Sequence, residues 1–247
     1  PTSSITDTQL TSKNGLEGTL IGVYSMLSGR GQDFYAGSTN WFWGSVLGGD
    51  ANKGTNSGDQ AQVNEIQAYN PQSTNTSILA KYRTTYEGIA RANALLKLLP
   101  DAQPTVSEDD KTRIEAECKF LRGHYYFELK KLFNNTPYID ETVDYAQGIE
   151  EITNDADLWP MIEADLLFAF NNLPETQPAA GRANKWAAGA YLGKAYLFQG
   201  KFEDAENIFH NVIANGKTAN DQKYGLLENY GDLWRLASDN SKESVFA

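Results

Sequence analysis

Apolar residues recur along this chain in steps of three and four, the spacing that places them on one face of an α-helix. The pattern is clearest at Ile114, Cys118, Leu121, Tyr125, Leu129 and Leu132. A second line, Ala116, Phe120 and Phe127, runs beside it, so the apolar arc is wide enough for a helix wedged between two neighbours. Ser107, with Asp110 three residues on, supplies an N-terminal cap, and Asn134, Asn135 and Pro137 supply the stop. The same periodicity predicts a helix capped at Asn14, with Glu17 three later, on the face Leu16, Leu20, Val23, Tyr24 and Leu27, ended by Gly29 and Gly31. It predicts others from Ile78 to Leu99, closed by Pro100, and from Leu158 to Leu173, with Pro160 in the first turn. Residues 1 to 13 are polar and read as extended.

Lys185 to Ala214 reads as a pair of antiparallel helices on the spacing of a tetratricopeptide repeat: Leu192, Gly193, Tyr196, Gly200, Phe202, Ala205 and Phe209. Gly193 and Ala205 are small enough for two helices to approach, Gly200 fits the turn, and Tyr196 and Phe209 fill the interface. The earlier helices form two further, looser pairs on this reading. The fold expected is therefore all-α, built as one domain over 1–247 from tetratricopeptide-like pairs. Ser244, Val245, Phe246 and Ala247 read as the opening of a β-strand.

Between residues 30 and 77 the helical period disappears, leaving a long irregular insertion rich in Gly, Asn, Ser and Asp. Short helices are expected within it at Trp43–Ala51 and Gln60–Tyr69. Its rings, Tyr35, Trp41, Trp43 and Tyr69, belong to no helical stripe. Sugar rings present C–H faces that stack on Trp and Tyr, while Asn, Asp and Gln hydrogen-bond the hydroxyls; Asp50 and Asn70, with Asn40, Asn52 and Gln60, stand beside these rings. The candidate ligand-binding residues are accordingly Tyr35, Trp41, Trp43, Asp50, Tyr69 and Asn70. The competing explanation is a small aromatic core belonging to the insertion itself, which Phe42 beside two Trp favours for any single ring.

Charge narrows the partners. Acidic residues number 32 against 21 basic ones, a formal charge of −11, which argues against a nucleic-acid phosphate backbone. No run is long enough to span a membrane. The one cysteine, Cys118, lies in the apolar stripe and reads as a core thiol. Neither His124 nor His210 accompanies a nucleophile motif, no two carboxylates are paired by sequence, and no metal or cofactor motif occurs. Asp50 and Asp59 could contribute to a calcium site, although isolated loop acids are usually solvated. Arg122, alone among apolar neighbours, is open to two readings, anion recognition or a structural ion pair tying two repeats together.

The organising helix also carries a resemblance. E-A-E-C-K-F-L-R-G-H-Y-Y-F-E-L-K-K-L-F, followed by N-N-T-P-Y-I, is similar to the signature of the SusD-like (RagB/SusD) family, as are Y-E-G-I-A-R-A-N and I-E-A-D-L before Leu173-Pro174. Gly123, His124 and Asn134-Asn135 depart from it. The resemblance implies the helical half of that fold, with the C-terminal half beyond Ala247. It also implies a cell-surface lipoprotein of a Gram-negative outer membrane, anchored through an N-terminal lipid outside this chain. Such a protein binds an oligosaccharide without cleaving it and delivers it to a SusC-type TonB-dependent transporter. A protein–protein scaffold of tetratricopeptide type and, further off, a glycan-cleaving enzyme are the alternatives.

Overall fold

A computed structural model describes residues 6–29, 41–54, 56 and 58–246, the side chain of Trp41 excepted. Among these residues the regular elements are all helical: α1 (Asp7–Leu10), α2 (Lys13–Tyr24), α3 (Ala61–Gln67), α4 (Thr76–Leu98), α5 (Glu108–Phe133), α6 (Trp159–Asn172), α7 (Lys185–Phe198) and α8 (Phe202–Asn215). A π-helical turn at Trp41–Val46 and short 3₁₀ turns complete the set. The sole extended pairing among the described residues is an isolated bridge between Lys217 and Lys223.

The central helix α5 follows the sequence pattern. Ser107 Oγ accepts from the Asp110 amide at 3.2 Å, Glu108, Asp109 and Asp110 fill the first turn, and Lys130 and Lys131 the last, each charge matched to the helix dipole. Both of its apolar lines are buried, Ile114 to Leu129 on one and Ala116, Phe120 and Phe127 on the other. That width lets α5 pack against α4 and α2 on one side and α6 on the other; α6 then packs on α7, and α7 on α8. One continuous core results, from Leu16, Leu20 and Val23 of α2 to Val212 of α8.

The last helix pair shows why small residues are placed where they are. A Cβ on Gly193 would stand 2.7 Å from the Phe209 ring, so α7 and α8 meet at a separation only glycine allows. Gly200 turns the chain between them at φ 73°, a left-handed conformation that costs other residues more. Pro160 lies in the first turn of α6, where its missing amide is one of the orphans.

Three expectations need correction. The N-terminal segment is not wholly extended: Thr6 caps α1 in a reciprocal box with Gln9. Its carbonyls come so close to Gly15 that any Cβ there would lie 2.1 Å from the Gln9 oxygen. Ser12, not Asn14, caps α2, its hydroxyl accepting from the Gly15 amide at 3.2 Å, because α1 ends just before it and the chain re-enters a helix at once. Ser244–Phe246 form no strand among the described residues; Phe246 sets its ring edge-on to Phe120 at 5.0 Å and to Tyr191 at 6.5 Å.

Candidate functional site

The described part of the insertion has a core of its own. Phe42 and Val46, from the π-helical turn, pack with Val63 and Ile66 of α3, and Ile78 of α4 closes one side. Polar contacts hold the loops around this core. Asn75, the N-cap of α4, donates to the Gln62 carbonyl at 2.9 Å and to Glu65 Oε2 at 2.8 Å. The Lys53 amide donates to Gln67 Oε1 at 2.9 Å.

On this base Tyr69 is presented outward. It follows α3 at φ 54°, and its ring is 66% exposed. Its hydroxyl donates to the Leu47 carbonyl at 2.8 Å, which fixes the ring's direction although little covers it. Exposed tyrosines ordinarily sample several rotamers, and a bond from the far end of the side chain removes that freedom. Asn70 is exposed immediately beside it, its amide donating to the Glu65 carbonyl at 2.9 Å. Asp50 is exposed on the turn that follows Leu47. Trp43 is half-buried, its ring 4.5 Å from that of Phe42 and tilted by 47°. Tyr35 and the side chain of Trp41 lie outside the described residues. The structure therefore brings Tyr69, Asn70 and the Leu47–Asp50 turn together, while Trp43 packs on the insertion's core.

Groups with possible chemistry elsewhere have structural settings. Arg122 donates from Nε and Nη2 to Asp165 at 2.7 and 2.8 Å, from Nη1 to Asn93 Oδ1 at 2.9 Å, and to Glu141. It thus joins α4, α5, α6 and the loop after α5. Glu117, fully buried, accepts from Tyr24 at 2.7 Å, from Arg113 at 2.7 Å and from Arg182 at 3.2 Å. Cys118 is in the core with its Sγ 3.3 Å from the Ala92 carbonyl oxygen, and burial pushes its thiol up. Among the described residues no three His, Cys, Asp or Glu side chains converge as a metal would require, Asp50 and Asp59 included.

Several exposed rings were not among the sequence candidates, and two of them neighbour one another. Tyr230 and Trp234, on a 3₁₀ turn after α8, are 74% and 76% exposed, with ring centroids 6.0 Å apart at 74°. The signal used for the insertion applies equally to them: both are rings in a segment without helical period.

Comparison with known proteins agrees with this architecture. Residues 25–197 match the SusD-like_3 family, described as starch-binding associating with outer membrane. The chain is 30% identical over 189 residues to SusD-like protein P2 of Formosa agariphila, covering 72% of this chain and 36% of that protein. A SusD-like protein of Bacteroides ovatus is 27% identical over 175 residues, 66% of this chain and 31% of its own. The chain thus spans about a third of the length of these curated relatives. A solved laminarin-binding SusD-like protein superposes with a TM-score of 0.76 at 30% identity, covering 94% of this chain and 50% of that one. A SusD superfamily protein of Bacteroides vulgatus gives 0.78 at 24% identity, covering 95% and 49%. No helix among the described residues is long and apolar enough to cross a membrane. With a family match over well over half its length and the same helical scaffold, the chain belongs to the SusD-like family.

Proposed function

We propose that this protein binds an oligosaccharide at the outer surface of a Gram-negative outer membrane, without cleaving it, and passes it to a SusC-type TonB-dependent transporter. The observation that carries the binding surface is Tyr69, an exposed ring pinned by its own hydroxyl. A ring so fixed stacks on the C–H face of a sugar with little further loss of side-chain entropy. Asn70 and Asp50 are exposed on the adjoining segments to hydrogen-bond hydroxyl groups, and Trp43 packs on the insertion's own core. Family membership and the similarity to a laminarin-binding relative support a glycan as the ligand class. The relatives extend well beyond this chain, so residues outside it complete the surface on this reading.

Binding to a glycan array, with laminarin oligosaccharides included, tests the first part. Retention of at least one glycan, with no reducing ends released over hours, is expected. An array without any retained glycan, or release of reducing ends from a bound one, overturns the reading. Affinity capture from detergent-solubilised outer membrane tests the second part, and a large β-barrel transporter is the expected partner.

A further inference from the structure

Apart from the insertion, a cavity of about 430 Å³ opens between α4, α5 and α7. Lys81, His124, Glu128, Lys131 and Lys194 supply its polar lining. Glu128 is the single carboxylate among the described lining residues, and two ammonium groups already share it: Lys131 at 2.6 Å and Lys81 at 3.5 Å. Lys194 has no carboxylate partner among the described residues and approaches only the face of Phe127, 5.5 Å from the ring centre. His124 Nδ1 is shut away from solvent without a hydrogen-bond partner. Among the described residues, three lysines against one glutamate leave the cavity short of negative charge, in a chain whose acidic residues outnumber its basic ones 32 to 21.

We propose that this cavity is an oxyanion site that takes the carboxylate or sulfate group of an acidic sugar. An oxyanion between Lys131 and Lys194 accepts charge-assisted hydrogen bonds from both. The volume exceeds what a bare ion needs and falls within the usual range for small-molecule pockets, about 300–1,000 Å³. Tyr24, Tyr191 and Phe246 line it with rings, against which the C–H face of a sugar packs. Burial pushes Lys81 below the usual lysine range, and partial desolvation with Lys131 nearby pushes Lys194 the same way, a direction that an incoming anion reverses. The site shares no lining residue with the Tyr69 surface and does not rest on it.

Titration calorimetry of the protein with glucuronate, glucose 6-sulfate, glucose and inorganic sulfate at low ionic strength tests the proposal. Both acidic sugars should bind, sulfate should compete with them, and glucose should not register. Lys194 is exposed and outside any ion pair among the described residues, so Lys194→Gln should leave the melting temperature in place. It should weaken glucuronate at least tenfold, and Lys194→Arg should restore most of that loss. Binding of a neutral laminarin oligosaccharide, if present, should be the same in wild type and Lys194→Gln, which separates this site from the loop surface. Absence of acidic-sugar binding, binding of sulfate alone, or unchanged glucuronate affinity in Lys194→Gln would each overturn the proposal.

Discussion

Arg122 and Asp165 meet through two parallel hydrogen bonds of 2.7 and 2.8 Å, both residues being at least 95% buried. A bidentate pair of this kind fixes the relative rotation of α5 and α6 as well as their distance. Asp165→Ala leaves a guanidinium buried without its main partner, which should destabilise the fold by about 3–5 kcal/mol. Replacing both, Arg122→Met with Asp165→Leu, removes the stranded charge and should recover most of the loss. Urea midpoints of the single and double variants give the comparison. An equal loss in both would mean that shape, not charge, holds this junction.

At the α7–α8 contact the limiting quantity is space. A leucine at position 193 must occupy the volume of the Phe209 ring, which even a Cβ would approach to 2.7 Å. Overpacking of this kind typically costs about 1–3 kcal/mol. Gly193→Leu should therefore melt several degrees below wild type in a thermal scan; an unchanged melting temperature would contradict the tight crossing.

The elements that were legible in the sequence are those whose signal is local. The stripe from Ile114 to Leu129 revealed α5 because helical burial repeats every three to four residues. Pro160 and Gly200 marked a helix start and a turn through backbone restrictions of their own. Pairings across the fold carry no such local mark. Arg122 was readable as half of an ion pair, but Asp165, 43 residues away, was one of many acids. The cap at Ser12 and the packing of Phe246 likewise depend on a neighbour, α1 in one case and the Phe120 ring in the other. Tyr69 stood out as a ring without a stripe, whereas the Leu47 carbonyl that fixes it comes from 22 residues earlier. The cavity of Lys81, Lys131 and Lys194 gathers single residues from three helices, which no spacing rule collects.

His124 gives the protein a dependence on pH. Burial, with Lys81, Lys131 and Lys194 nearby and only Glu128 opposing them, holds its imidazole down at about 4 against an ordinary 6.5. Between these values the unfolded chain binds the proton and the folded one does not, so stability present above pH 6.5 falls as the pH drops towards 4. The effect is bounded by about 3 kcal/mol, from 1.36 kcal/mol per pH unit. Glu128, held at about 2 where His124, Lys131 and Lys81 outweigh the cost of burial, adds a second loss between its unfolded value of 4.5 and pH 2. His124→Phe should flatten the urea midpoint between pH 6.5 and 4 while leaving the lower limb. A variant with the same slope in that window would remove His124 as its source.

The loop surface makes different demands of its two aromatic residues. Tyr69 is mostly exposed, so Tyr69→Ala should leave the melting temperature close to wild type; Trp43 packs on Phe42, and Trp43→Ala should lower stability by about 2 kcal/mol, near half the cost of a fully buried Trp. Stacking of a nucleobase on an aromatic ring is worth roughly 1–3 kcal/mol, and stacking of a sugar should be no stronger. Tyr69→Ala should then weaken glycan binding by about tenfold to a hundredfold. Tyr69→Phe keeps the ring but loses the hydrogen bond to the Leu47 carbonyl, so it should fall between alanine and wild type, the difference measuring what fixing the ring contributes. Calorimetry and melting curves on the three variants separate a ring that holds ligand from one that holds the fold. Unchanged affinity in Tyr69→Ala would move the contact away from the insertion, and the exposed pair Tyr230 and Trp234 would be the next rings to substitute.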